Sequence, residues 1–473
     1  MNEKQLLFEF EIKYPFLYRV EVNRVPLYTC LRDHTLMLLR DGDAVAQKAE
    51  NNSKGRVFPR RLMDGILKLP QLRRAKTLIF TSSVYRRDHG RNLAAEYLME
   101  HYPGAAVFEW PSRNEAFDRA YFSDPNRERY CPLDFYLVLF KAARLLHRKS
   151  MAEKEERLRE ELRRRFEAAP PPANGNEAAA IRYLLDTLPE SYVTTELSHS
   201  IFRRLFRGYT SIQYAVDFWG SGRENIFPVL PGTPEKIELQ HGLISGTHPG
   251  YVYPDFVREA DTDFFRRTLL VYGEATKRIL CDASIFREEQ IKVIGNPRIQ
   301  MYRRVFGTRE QEKSLILFTS QPFEQDGSGV EYYHDMVLFL HAVTSYLKEK
   351  DLRKRFQLGI KLHPRETEDV LELYRREVPG CVLFDSNEEL FELLSRSYLH
   401  LTVSSTTLFE AAEFGVPTVL FAFSAVPLAE ASHYGFPVRM IHTPAETAQV
   451  LQTVAGEYQK YLSYLQERTK EYM

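Results

Sequence analysis

Residues 398–421 read YLHLTVSSTTLFEAAEFGVPTVLF. The apolar run Tyr398 to Val403 has the length of a buried strand, and Ser404 and Ser405 end it. A helix starts near Thr407, and Gly415 with Pro417 stops it within about two turns. Pro417 to Phe421 is then short and apolar again. Strand, helix, strand in so small a space is a βαβ unit, which calls for a parallel sheet.

The same rhythm extends outward in both directions. Ser314 to Thr319 (SLILFT), Leu358 to Leu362 (LGIKL) and Cys381 to Phe384 (CVLF) are further short strands separated by helix-length amphipathic segments. This is the pattern of a doubly wound α/β domain, placed at 301–440. From Pro444 onward the chain reads as one long amphipathic helix, so 441–473 is expected to pack back across the domains. In the first half, Lys76 to Ser83 (KTLIFTSS), a helix over Asn92 to His101, Ala106 to Trp110 (AVFEW), Lys236 to Leu239, Thr268 to Tyr272 (TLLVY), a helix over Glu274 to Asp282 and a last strand, Ile291 to Ile294, repeat the alternation. They define a second domain over 1–300. At its entrance, residues 14–40, with Pro15 and Pro26, suggest short strands or a strand and a helix.

Two segments interrupt the rhythm. Residues 145–169 form a charged helix with a Leu158, Leu162, Phe166 stripe and Glu153–Arg157, Glu155–Arg159 and Glu160–Arg164 pairs, read as a projecting, solvated helix that Pro170, Pro171 and Pro172 end. Residues 176–217 look helical, with Thr195 or Ser198 as start signals.

Composition narrows the function. At 473 residues, roughly 150 per domain suggests two or three units. Lys plus Arg and Asp plus Glu each total 64, which argues against a dedicated nucleic-acid binder. Cys30, Cys131, Cys281 and Cys381 lie far apart with no CxxC pair, so no zinc site or disulfide framework is indicated and a reducing cytoplasm fits. The N-terminus has no signal-peptide pattern and no run suits a bilayer span, so any membrane association is expected to be peripheral.

Three strand-end loops carry the chemical interest. The first is Ile237 to Gly250, IELQHGLISGTHPG, where Gln240, His241 and Gly242 follow a strand directly. Gly242 implies close backbone approach to a ligand or a φ > 0 turn, and a neutral His241 could accept a proton from a hydroxyl. His248 lies seven residues on, unlike a helical metal pair, so no metal is assigned. The second is IKLHPRE, where Lys361, His363 and Arg365 gather cations and Pro364 fixes the turn. The third is Thr402 to Pro417. Its hydroxyls and helix start suit an anion. Glu410 there reads either as a capping-box partner for the Thr407 N–H or as a ribose ligand, and both stay open. The triplets Asp41-Gly42-Asp43 and Asp261-Thr262-Asp263 read as a turn and a helix start rather than metal sites. Arg60, Arg61, Arg73, Arg74, Arg86, Arg87 and Arg91 are either scattered surface charge or a face for an anionic acceptor or membrane.

The combination of QHG, KLHP about 120 residues later and SSTTLFEAAEFGVP some 40 further on resembles the bacterial capsule and surface-polysaccharide glycosyltransferases of GT-B fold, whose relatives include Kdo transferases, polysialyltransferases and CDP-glycerol glycerophosphotransferases. The resemblance is strongest from 237 to 421. It implies two Rossmann-like doubly wound domains facing a cleft, with acceptor on the N-terminal side and nucleotide donor on the C-terminal side. By this resemblance His241 and His363 are catalytic; Lys361, Pro364, Ser404, Ser405, Thr406 and Glu410 bind the donor; and Gln240, Gly242 and His248 line the cleft. It implies metal-independent transfer of a sugar, or a polyol phosphate, from a cytidine-linked donor to a glycan or lipid-linked glycan, with the nucleotide sugar as co-substrate and no cofactor. The setting would be capsule synthesis in the cytoplasm, at the inner membrane face. A nucleotide-sugar epimerase of the same architecture and a non-catalytic glycan-assembly subunit are the alternatives.

Overall fold

The computed structural model describes residues 3–42, 58–86, 88–111, 115–209, 213–216, 223–231, 235–240, 242, 244–259, 266–307, 312–322, 331–363, 366–385, 388–403, 405–422 and 438–472. The chain divides into two compact units: unit 1 is Met1–Val271 with Thr276–Arg298, and unit 2 is Tyr272–Ala275 with Ile299–Met473.

Unit 1 opens with the helix Glu3–Lys13, a hairpin of β1 (Glu21–Val22) and β2 (Val25–Pro26), and the helix Arg32–Asp41, which ends at Gly42 with φ +69°. Its sheet comprises β3 (Thr77–Ser82), β4 (Ala106–Trp110), β5 (Tyr130–Pro132), β6 (Gln213–Val216), β7 (Glu235–Leu239), β8 (Thr268–Val271) and β9 (Ile291–Val293). All pairs are parallel, in the order β5-β4-β3-β6-β7-β8-β9. Every residue of β3 is buried, as a strand covered on both faces requires. Phe80 and Phe108 stack across β3 and β4 at 5.5 Å, with Phe206 and Phe227 against Phe80.

The helical expectation for 176–217 is corrected. The helix is Gly175–Leu205, capped by the Asn174 side chain, which accepts from the Glu177 N–H; Thr195 and Ser198 lie in its interior. After it, Gly208 takes φ +94°, and Gln213–Val216 pairs with β3 and β7 as a central strand. Four residues are too few to show a pattern, and ladder bonds on both edges hold them in the sheet. The charged helix, Arg148–Ala168, packs against Gly175–Leu205 rather than projecting free. Its stripe is covered: Leu162 and Phe166 are buried, and the Phe166 ring meets Tyr14 at 5.1 Å and Phe16 at 5.0 Å.

Several of the basic residues are also structural. Arg61 and Arg86 are buried and share Glu109, with Arg61 Nη1 to Glu109 at 2.9 Å and Arg86 Nε to Glu109 at 2.6 Å. Arg61 also bonds Asp134, Arg86 bonds Asp124, and Arg91 pairs with Glu96. These guanidiniums therefore do not face an acceptor or a membrane. Arg60, Arg73 and Arg74 are exposed, whereas Arg87, Asp43 and the Asp261–Asp263 triplet lie outside the described residues.

Unit 2 contains β10 (Leu315–Thr319), β11 (Gln357–Lys361), β12 (Val382–Phe384), β13 (Ser397–Thr402), β14 (Thr418–Phe421) and β15 (Arg439–Ile441), all parallel, in the order β12-β11-β10-β13-β14-β15. Phe318 and Phe421 stack at 5.5 Å and Phe339 joins Phe421 at 4.9 Å, tying β10, β14 and the helix Glu331–Glu349 into one core. The expected single C-terminal helix is two, Thr447–Gly456 and Tyr458–Thr469, because the chain bends at Gly456 and Glu457. Tyr472 then stacks on Phe409 at 5.3 Å, and the Glu471 carbonyl accepts from the Ala275 N–H at 2.7 Å.

The fold class is α/β, as expected, with two Rossmann-like doubly wound parallel sheets, one in each unit. No helix among the described residues is long and apolar enough to cross a membrane.

Candidate functional site

In unit 2 the chain leaves β10 outward to β11 and β12, then returns to lay β13 on the other side of β10. The carboxyl ends of β10 and β13 therefore diverge, and that crevice is where doubly wound sheets bind ligands. Sequence neighbours cannot create it. Only the strand order brings His363 and Glu366 to one flank of Thr319 and Ser320, and Ser405 to Thr407 to the other.

On the β11 flank, Ser320 N–H bonds the Lys361 carbonyl at 2.9 Å. Its hydroxyl donates to Glu366 Oε1 at 2.7 Å, and Tyr333 OH donates to the same oxygen at 3.0 Å. Glu366 Oε2 accepts the His363 N–H at 2.5 Å while the Glu366 N–H returns to the His363 carbonyl at 2.9 Å. This reciprocal closure, resembling a capping box, fixes the backbone under the half-buried His363. Burial pushes the Glu366 carboxyl up to about 7, against the opposing pull of the His363 N–H, the two hydroxyls and Lys361. The group is then close to half protonated at neutral pH. Lys361 is buried, its Nζ donating to the carbonyls of Leu362 and Asp385, each at 3.3 Å. Pro364 and Arg365 lie outside the described residues.

On the β13 flank, Thr402 Oγ1 donates to the Thr319 carbonyl at 3.1 Å. The Thr319 hydroxyl lies 2.9 Å from His400 Nε2 and 3.2 Å from Thr407 Oγ1, and His400 Nδ1 is 3.0 Å from Thr418 Oγ1. Burial pulls His400 down to about 3, so the imidazole is a neutral hydrogen-bonding hub rather than a proton shuttle. The Thr407 N–H is taken by Ser405 Oγ at 3.3 Å, a local turn that opens the seven-residue helix Thr407–Glu413. Ser405 and Thr406 are half-buried at this turn, Glu410 is 9% exposed on the first turn, and Ser404 lies outside the described residues.

The sequence reading named Lys361, His363, Ser405, Thr406 and Glu410, and the sheet brings them to one edge. It missed Thr319, Ser320, Glu366 and His400. Glu366 carried a readable signal, since His363 and Glu366 are three apart across a proline, the spacing at which a carboxylate reaches back to a free N–H.

In unit 1, Gln240 follows β7, is buried, and donates from Nε2 to the Gly242 carbonyl at 2.7 Å. A Cβ at Gly242 would meet no neighbour within 4 Å. His248 Nδ1 accepts from the Gly250 N–H at 3.0 Å, its ring lies 5.0 Å from Tyr251, and burial lowers its pKa. The loop is anchored from beneath: buried Arg32, held by Glu11, donates to the carbonyls of Pro249 and Val252, while Tyr251 and Arg267 both bond Glu238. His241 lies outside the described residues. Among the described residues no group of three or more His, Cys, Asp or Glu is placed to hold a metal ion.

No protein-family model matches the chain, and no curated protein matches it. Among solved structures it is similar to UDP-GlcNAc 2-epimerase from Neisseria meningitidis bound to UDP-GlcNAc, at 13% identity over 84% of this chain and 95% of that one, with a TM-score of 0.47. It is also similar to a glycosyltransferase from Rickettsia africae, at 8% identity over 84% and 92% with a TM-score of 0.44, and to the wall teichoic acid polymerase TagF, at 13% over 92% and 93% with a TM-score of 0.44.

Proposed function

We propose that the protein transfers a sugar, or a polyol phosphate, from a nucleotide-activated donor to a growing surface glycan. The observation that carries this reading is the polar cluster at the switch point of unit 2, where His363, Ser405 and Thr406 flank the end of β10 over a hydrogen-bonded base of Ser320, Glu366, Thr319 and His400. In this reading Lys361, Ser404, Ser405 and Thr406 hold the donor's phosphates, Pro364 fixes the donor-side turn beside His363, and Glu410 holds the ribose. Unit 1 serves the acceptor, with Gln240, Gly242 and His248 shaping that side. The acceptor hydroxyl oxygen attacks the electrophilic centre of the donor, its proton passes to His241, and the bond to the leaving phosphate breaks. His363 and the hydroxyl donors meet the charge that develops on that phosphate. A cytidine-linked donor, a capsule or lipid-linked acceptor, and work at the inner membrane face complete the reading.

A thermal-shift panel of CMP, CDP, UDP and GDP derivatives tests it, because a ligand bound only by the native state raises the melting temperature. One nucleotide should stabilise the protein, and His363→Ala, folded by circular dichroism, should lose most of that shift. Transfer should fall roughly 100-fold or more in His363→Ala and in His241→Ala. Full transfer activity in both variants would remove the assignment, and an epimer formed without acceptor would replace transfer with epimerisation.

A further inference from the structure

Seven of the ten exposed large hydrophobic side chains among the described residues sit on two helices of unit 1: Met63, Ile66 and Leu67 on Pro59–Lys68, and Val138, Leu139, Leu145 and Leu146 on Asp134–Leu146. Scattered exposed leucines need no explanation, but this concentration does. The two helices pack side by side, with Gly65 against the Pro132 carbonyl and the Phe135 ring. Leu145 is 73% exposed and Leu146 81% exposed. Basic residues predominate on the helix that carries four of the seven. From Phe135 to Ala152 there is no acidic residue, while Lys141, Arg144, His147, Arg148 and Lys149 lie between and beside the leucines. On the neighbouring helix Asp64 turns inward to Lys68, at 3.3 Å, and Arg60 is exposed. Arg60, Lys141, Arg148 and Lys149 have no ion-pair partner among the described residues. Where the helix turns into Arg148–Ala168, a groove of about 470 Å³ is lined by Lys141, Arg144, Leu145, Arg148, Met151 and Glu155. Its acid is engaged, since Glu155 bonds Arg159 at 2.7 Å, and Glu190 is engaged by Arg144 at 2.8 Å.

We propose that this face docks on the surface of an anionic lipid bilayer, with Leu145 and Leu146 entering the interface and Lys141, Arg148 and Lys149 meeting lipid phosphates. Apolar side chains at a helix surface rimmed by lysine and arginine are the composition of an interfacial anchor. A second copy of the chain fits less well, because a two-fold contact would set this basic rim against itself. The inference deepens the reading of a lipid-linked acceptor by naming the face that would reach it, yet vesicle binding needs neither donor nor acceptor. Failure of one therefore leaves the other standing.

The test is co-sedimentation of the full chain with vesicles of phosphatidylcholine, with and without about a third phosphatidylglycerol, at low and high salt. Binding should require the anionic lipid and weaken with salt. The triple variant Lys141→Ala, Arg148→Ala, Lys149→Ala should partition roughly 100-fold more weakly, at about fivefold for each basic residue near the surface. Leu145→Glu with Leu146→Glu should also abolish sedimentation, with the circular dichroism spectrum and turnover on a soluble acceptor retained. Wild-type protein that stays in the supernatant, or variants that sediment as wild type, would overturn the proposal. So would a dimer in light scattering that the Leu145→Glu, Leu146→Glu variant dissolves.

Discussion

Glu366 concentrates most of the testable chemistry at the residue scale. Its folded-state pKa, about 7, exceeds the ordinary 4.5, so the folded chain holds the proton more tightly than the unfolded one. The stability it contributes is complete below pH 4.5 and is lost as pH rises toward about 7. Glu366→Gln has no such proton. The unfolding free energy of wild type relative to this variant should therefore fall by roughly 3 kcal/mol across that window, read from urea melts at several pH values. A difference constant with pH would show that burial does not perturb this carboxyl. Glu109 is a second buried carboxylate, shared by Arg61 and Arg86. Glu109→Gln leaves two buried guanidiniums short of a counter-charge and should cost about 3–5 kcal/mol, measured by chemical denaturation. A loss under 1 kcal/mol would mean that Asp124, Asp134 and Asp118, 3.5 Å from Arg61 Nη1, suffice without it.

At the scale of elements, the helix Pro59–Lys68 depends on the missing side chain of Gly65. A Cβ there would stand 2.1 Å from the Pro132 carbonyl oxygen and 2.9 Å from the Phe135 ring. Alanine would gain up to about 1 kcal/mol in helix propensity. The overlap is with backbone, which cannot swing away, and overpacking costs about 1–3 kcal/mol, so the clash wins. Gly65→Ala should lower the melting temperature, and an unchanged or raised value would contradict the packing. The sequence pattern located most elements because strand length, helical period and stop residues are local properties. It failed at β6, where the four residues QYAV become a central strand through pairing on both edges. It also did not find β15, a three-residue strand after 15 undescribed positions, whose pairing with β14 is its main qualification as a strand.

At the scale of the whole molecule, the C-terminal segment is part of the candidate site's support. Tyr472 stacks on Phe409 of the helix Thr407–Glu413, and the neighbouring Glu471 carbonyl bonds the Ala275 N–H where Gly273 leaves no room for a Cβ. Tyr472→Ala should destabilise unit 2 by about 2–4 kcal/mol and reduce the stabilisation conferred by bound nucleotide, both read from thermal melts with and without ligand. An unaltered ligand-induced shift would mean that the helix holds its position without this brace. By itself, the amino-acid sequence determined the α/β class, the two runs of alternating strands and helices, and the polar turns at strand ends. All of these follow from periodicity and turn chemistry within a few residues. Only the tertiary structure decided the strand order that creates the switch point beside β10, the burial of Arg61 and Arg86, and the burial that raises Glu366 and silences His400. Each of those depends on groups tens of residues apart, and burial and charge pairing do not exist until such groups meet.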